Sequence, residues 1–74
     1  MILPTKHISP ERSLLGVGAV ILRNMRGEQT ATRLWEHVRS SPEVGTYERF
    51  ILALALLYAI NAVTFEDGLV RRHE

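Results

Sequence analysis

The sequence predicts a small, mainly α-helical domain that ends in a β-hairpin, and three observations indicate this fold class. An eleven-residue run without charge, Phe50 to Ile60, follows Thr46, whose hydroxyl suits a helix N-cap. Two earlier stretches repeat apolar residues at helical spacing. After residue 61 the apolar period changes to two around Asp67 and Gly68, a pair favoured in two-residue hairpin turns. Three helices followed by a hairpin are the order of a winged helix-turn-helix-like fold.

Length and composition limit what this chain can be. Its 74 residues predict one small domain, and the absence of cysteine excludes disulfides and thiolate-bound metal. Nine Lys and Arg residues nearly balance eight Asp and Glu residues, which argues against a strong electrostatic footprint for nucleic acid. The apolar run of the third helix is shorter than the ~20 residues that span a bilayer. The first residues lack the pattern of a signal peptide, so we expect a cytoplasmic protein.

The chain is expected to begin with an extended arm, residues 1–8, which contains Pro4. This arm could lie over its own core or add as a strand to the sheet edge of a partner. Ser9 then suits an N-cap and Pro10 suits the first helical position. Residues 9–74 are therefore predicted to form the winged-helix-like domain.

Helix 1 is predicted at about residues 9–26, ending before Gly27. The residues expected to face the core are Leu14, Leu15, Gly18, Ile21, Leu22 and Met25. A glycine within a helix costs roughly 1 kcal/mol relative to alanine. Gly16 and Gly18 therefore predict that helix 3 crosses helix 1 closely at this point.

Helix 2 is predicted at about residues 31–40, with Thr30 as its N-cap, after a short connection that could form a one- or two-residue strand. The residues expected to be buried are Ala31, Leu34, Trp35 and Val38. Trp35 is expected to anchor the core because an indole buries a large area. The residues expected to face water are Arg33, Glu36, His37 and Arg39.

Helix 3, predicted at about residues 47–60, is apolar on two sides. The stripe expected to face the core consists of Tyr47, Phe50, Ile51, Leu54, Leu57 and Tyr58. The opposite stripe, which is in line with Arg49, consists of Leu52, Leu56 and Ile60. A chain this small has little material to bury a second stripe. We therefore expect this stripe and Arg49 to form a protein interface, with Ile2 and Leu3 of the arm as companions.

The hairpin is predicted at about residues 62–72. A two-residue turn places Phe65 opposite Val70 and Val63 opposite Arg72 on one face. Arg71 and Arg72 could contact a nucleic-acid backbone, although two cations make a weak patch.

No pattern of residues indicates catalysis. Asp67, the only aspartate, is used in the turn, and His7, His37 and His73 fit no metal-ligand spacing. No serine lies in a nucleophile motif, and there is no cysteine to act as one. We therefore expect a protein that is not an enzyme and that needs no metal or other cofactor.

DNA binding has to be weighed because this fold often serves it. A winged helix that reads DNA presents Arg, Lys, Asn or Gln from its third helix to the major groove. Here we expect three branched aliphatic residues on that face beside Arg49. Protein binding is therefore the favoured function, with DNA contact only weak or indirect. A small DNA-binding winged-helix regulator, which could be homodimeric, is the alternative.

Three segments carry a resemblance to a known family: MILPTKHISPERSLLGVGAVIL at the start, LW in helix 2, and FILALALLYAINAVTFEDGLVRR near the end. They resemble the small sixth middle-component family of bacterial ABC-three-component conflict systems. The resemblance implies a non-catalytic adaptor subunit that links an SMC/Rad50-like ABC ATPase to an effector protein. It further implies that the complex takes part in anti-phage or anti-plasmid defence. Because the apolar run of helix 3 is too short to span a bilayer, we expect no membrane partner.

Overall fold

The computed structural model describes residues 10–73, with side chains from residue 14 onward. Its elements are α1 (Pro10–Asn24), α2 (Ala31–Val38), α3 (Tyr47–Ala59), β1 (Val63–Glu66) and β2 (Leu69–Arg72). They confirm the predicted mainly α-helical fold with a C-terminal hairpin, and their order is compatible with a winged helix. The expected arm at residues 1–8, with Ile2 and Leu3, lies outside the described residues, as does Ser9.

Two threonines begin α2 and α3, as the sequence predicts. The hydroxyl oxygens of Thr30 and Thr46 each accept a hydrogen bond of 3.1 Å from the backbone N–H three residues later. Each bond satisfies one amide that a helix start would otherwise leave without a partner. Asn61, with φ of 65°, has the left-handed conformation that commonly follows a helix end, and α3 stops just before it at Ala59.

The hairpin forms in the predicted register, with β1 antiparallel to β2 and Phe65 opposite Val70. Asp67 and Gly68 have φ angles of 53° and 77°, so both central turn residues are left-handed. This is the backbone of a type I′ turn, whose twist matches that of the two strands.

Gln29 extends the hairpin by a single-residue bridge to β2, so the connection between the first two helices forms the one-residue strand that its sequence allows. Its backbone N–H donates to the Val70 carbonyl at 3.1 Å, and the Val70 N–H donates back at 2.6 Å. The buried Gln29 side chain accepts from the Arg26 N–H at 3.0 Å and lies 3.1 Å from Nδ1 of His37. These bonds join the α1–α2 connection, α2 and the sheet, so they fix the hairpin against the helices.

The buried face of α1 is rotated relative to the prediction. Its buried side chains are those of Val17, Val20 and Ile21. Leu15, which was expected in the core, is exposed, so that part of the prediction is wrong. The other members of the predicted face are buried or half-buried, and Val17 and Val20 join them. The predicted close approach of α3 occurs at Gly18, where an added Cβ would lie 3.1 Å from Cδ2 of Leu57, but not at Gly16, which has no such neighbour.

Helix α2 buries Leu34 and Val38 as predicted, whereas Ala31 and Trp35, which were also expected to be buried, are half-buried against the core. The four side chains expected to face water are exposed, namely those of Arg33, Glu36, His37 and Arg39. The Trp35 ring centroid lies 5.2 Å from that of Tyr47 and 5.4 Å from that of Phe50. Trp35 thus packs along α3 and still presents part of its indole to solvent.

The core stripe of α3 is also rotated. Its buried residues are Phe50, Ala53, Leu54 and Leu57. Tyr47, Ile51 and Tyr58 were expected in the core, and this expectation is wrong because all three are exposed. Since α1 packs on the side of Leu57 that also carries the small residue Ala53, the buried face turns away from Ile51.

Candidate protein-binding surface

The predicted interface residues of α3 are only partly brought together. Leu52 and Ile60 are exposed, at 53% and 55% of their accessible surface, while Leu56 is half-buried. The guanidinium of Arg49 points back toward the preceding turn, where Nε donates to the Val44 carbonyl and Nη2 to the Glu43 carbonyl, each at 3.0 Å. Arg49 therefore stabilises the start of α3.

A second apolar surface on α3 was missed by sequence reasoning. It is a groove of about 420 Å³, which we call the α3–β1 groove. Its lining residues are Ala31, Ile51, Leu54, Ala55, Tyr58 and Phe65. Leu54 forms its buried floor, whereas Ile51 and Tyr58 are 38% and 54% exposed. Almost no polar surface lines the groove, so its chemistry suits an apolar group and not an ion or a polar substrate.

One pair of aromatic rings lines this groove, and a second pair lies beyond its lining residues along α2 and α3. Tyr58 and Phe65 meet edge to face with centroids 5.5 Å apart, and Trp35 and Tyr47 do so at 5.2 Å. Trp35 lies one helical turn beyond Ala31, and Tyr47 one turn before Ile51, so both helices lead from the groove to the second pair. Half-exposed aromatic side chains are enriched among residues that dominate binding energy at protein interfaces.

Acidic residues neighbour the groove residues in the sequence. Glu48 is exposed one helical turn before Ile51, and Asp67 is exposed in the hairpin turn, whereas Glu66 lies on the opposite face of β1 from Phe65. The only cation in α3 is Arg49, which donates to carbonyls of the preceding turn. The exposed face of α3 thus carries apolar groups and a carboxylate where a DNA-reading helix would carry cationic or amide donors.

The two arginines predicted as possible nucleic-acid contacts lie at the other end of the hairpin. Nη1 of Arg71 is 3.0 Å from Oε2 of Glu28, an exposed ion pair. Nη2 of Arg72 donates to the Leu22 carbonyl at 2.7 Å, near the end of α1. Met25 lies beside both arginines at this site. The contacts of both arginines are with residues of α1 and the α1–α2 connection, and not with the exposed face of α3. The two arginines and that face therefore do not form one continuous basic surface.

Metal-ligating residues do not cluster among residues 10–73. No group of three or more His, Asp or Glu side chains there could hold a metal ion. His37 contacts Gln29, and Asp67 occupies the hairpin turn. In the same part of the chain, every helix is too short or too polar to cross a membrane.

Comparison with known proteins gives one result. The family model described as ABC-three component (ABC-3C) system Middle Component 6 matches residues 3–73. No curated protein and no solved structure matches the chain. The match covers all three helices and the hairpin, including both surfaces of α3. The chain therefore belongs to the Middle Component 6 family of ABC-three component systems.

Proposed function

We propose that this protein is a non-catalytic adaptor subunit. It links an SMC/Rad50-like ABC ATPase to an effector protein in a bacterial complex that defends against phages or plasmids, and it works in the cytoplasm. The observation that carries the proposal is the apolar exposed face of α3, where Leu52 and Ile60 are each more than half exposed. Membership of a family of middle components supports it, because such a component belongs to a system with other parts.

Burial of this face would contribute part of the driving force for binding. Taking a fully exposed Leu or Ile side chain out of water stabilises a complex by about 1.5–3 kcal/mol. Leu52 and Ile60 have roughly half of that burial still available, so together they could contribute about 1.5–3 kcal/mol before the costs of association. Leu56 is half-buried and links the two along the helix. Exposed aliphatic side chains grouped in this way are typical of an interaction site.

DNA binding by a winged-helix regulator is the competing function, and Arg71 and Arg72 are the residues that favour it. The pairing of Arg71 with Glu28 offsets its charge, and Arg72 is engaged with a backbone carbonyl. Strong phosphate binding comes from several cations, each of which neutralises a phosphate. The observed contacts therefore support protein binding over DNA binding.

The test is to co-express this chain with the other two components of its system and to measure complexes by size-exclusion chromatography and native mass spectrometry. We expect a stoichiometric complex that Leu52→Glu disrupts, because the carboxylate would have to be desolvated at the interface. Leu15→Glu, which alters a similarly exposed leucine of α1, should leave the complex intact. If the chain co-purifies with neither component, or if both variants act alike, the adaptor proposal is wrong.

A further inference from the structure

Strand β1 has an open edge. In an antiparallel pair, opposite residues alternate between those that exchange backbone hydrogen bonds and those whose N–H and C=O groups point away from the other strand. Val70, which is opposite Phe65, bonds to Gln29 on the far side of β2, so this pair is of the second kind. The N–H and C=O groups of Phe65 therefore point outward from β1, away from the rest of the sheet.

Val63 presents its backbone in the same way. The His73 N–H donates to the Ala62 carbonyl at 2.9 Å, and bonded pairs alternate along the hairpin, so the N–H and C=O of Val63 also point outward. Among residues 10–73 no hydrogen bond reaches these outward groups of β1. An unpaired row of this kind is a template for a further strand. The opposite edge of the hairpin offers only Arg72, because the α1–α2 connection already occupies the rest of it.

The α3–β1 groove adjoins this open edge. Phe65 lines the groove and meets Tyr58 of α3, and the two side chains are still 43% and 54% exposed. Residues directly opposite each other in adjacent strands point to the same face of a sheet, with Cβ atoms ~4.5–5.5 Å apart. A strand added to β1 would therefore place the side chain opposite Phe65 on the face where Tyr58 and Ile51 are exposed. Hydrogen bonds to the edge and apolar contacts in the groove would then form together.

A second copy of this chain fits the edge poorly. In a two-fold pair joined through β1, both domains would lie on the same face of one continuous sheet, because opposite residues share a face. Neighbouring strands are ~4.8 Å apart, whereas packed helices need ~8–10 Å between their axes. Since α3 lies against β1 through Tyr58 and Phe65, the two copies of α3 would crowd each other. The edge therefore favours a segment that brings no helix beside it.

We propose that β1 and the α3–β1 groove together bind an extended segment of another component of the complex, which adds to β1 as a further strand. The segment has apolar residues at every second position, opposite Phe65 and two residues away, because the groove has almost no polar surface. In this mode of recognition main-chain hydrogen bonds supply affinity and the groove selects the side chains. The inference rests on the adaptor function and specifies one of its contacts.

The first test removes one outward donor and leaves every side chain in place. A chain of 74 residues can be made by chemical synthesis, which allows single backbone nitrogens to be methylated. Methylation at Phe65 should weaken binding to the component that co-purifies with this chain by at least tenfold in calorimetric titration, because a donor is lost and the methyl group blocks a strand. Methylation at Arg72, the matched change at the opposite edge, should not. Circular dichroism checks that both proteins fold. Equal affinity of the two would overturn the inference and leave the adaptor function standing.

The second test follows amide hydrogen exchange in the unmodified chain by NMR. In the free chain, exchange should be faster at Phe65 than at Thr64 and Glu66, whose amides point toward β2. Complex formation should slow exchange at Phe65 by at least tenfold, because its N–H gains an acceptor. A partner that enters the groove as a helix leaves this amide unbonded, so unchanged exchange in a stable complex would refute strand addition.

The third test identifies the occupant. A photo-crosslinking amino acid, p-benzoylphenylalanine, in place of Tyr58 should couple to a segment of another component with apolar residues at every second position. Ala55→Trp, which fills the groove, should weaken the same complex by at least tenfold, whereas Ala19→Trp, at an exposed alanine of α1, should not. Crosslinks to a helical segment, to residues 1–8 of this chain or to a second copy would each refute the proposed occupant, and so would full affinity of the Ala55→Trp protein. A chain that binds neither component would refute both proposals.

Discussion

Leu54 and Leu52 allow a matched test of which side of α3 holds the domain together. They are two residues apart in one helix, so a leucine-to-alanine change has the same helix propensity effect at each. Leu54 is 3% exposed and packed in the core, and Leu54→Ala should lower the free energy of unfolding by about 2–5 kcal/mol. Leu52 is 53% exposed, so Leu52→Ala should lower it by less than about 1 kcal/mol.

The assay is urea denaturation of the isolated chain, followed by circular dichroism at increasing urea concentration. A domain of this size has a stability of only a few kcal/mol, so the Leu54→Ala protein should be largely unfolded or close to it. The Leu52→Ala protein should unfold near the urea midpoint of the parent and lose affinity only for its partner. If Leu52→Ala destabilises the isolated chain as much as Leu54→Ala, the outer stripe belongs to the core and the interface proposal is wrong.

Three further predictions concern DNA and the fold. If Arg71 and Arg72 are the only phosphate contacts, the dissociation constant of the isolated chain for duplex DNA should be ~10⁻⁴ to 10⁻⁶ M at ~150 mM salt, measured by fluorescence anisotropy. The slope of log affinity against log salt concentration should be near −2. Nanomolar affinity or a slope steeper than about −4 would favour the DNA-binding regulator. Gln29→Ala should lower the free energy of unfolding, measured by urea denaturation, by about 1–3 kcal/mol, because the Arg26 amide and the His37 imidazole lose their partner. An unchanged urea midpoint would contradict this role of Gln29. Gly18→Leu should destabilise by at least about 1–3 kcal/mol through overpacking against Leu57, as seen in thermal melting; an unchanged melting temperature would show that the helices can separate at no cost.

The features that the sequence predicts well depend on local chemistry. A threonine hydroxyl can cap a helix whatever packs around it, and this is why Thr30 and Thr46 mark the helix starts. Asp67 and Gly68 tolerate the left-handed conformation that the hairpin turn requires, so the register of Phe65 follows from them. The class and order of the elements could therefore be predicted from residues that act on their near neighbours.

The faces that the helices turn to the core depend on contacts between elements, and there the sequence misleads. Ile51 and Tyr58 lie on the same apolar stripe as Leu54, yet α1 packs on the side of Leu57 and leaves both exposed. The weak signal for this rotation is Ala53, a small residue on the side where a neighbouring helix can approach. The groove escaped notice for the same reason, since Phe65 joins Ile51 and Tyr58 only after the hairpin folds back over α3.

The geometry of α3 bears on how an adaptor could hold two proteins. At ~100° per residue, the groove residues Ile51, Ala55 and Tyr58 are centred roughly 130° from Leu52, Leu56 and Ile60. A single packed helix covers an apolar stripe of about 100°, so one partner helix would not cover both surfaces. Two separate contacts on opposite flanks of α3 would hold two partners side by side, because α3 is only a few turns long. Leu52→Glu and Ala55→Trp should then each release a different component, and loss of the same component in both variants would mean that the two surfaces form a single site.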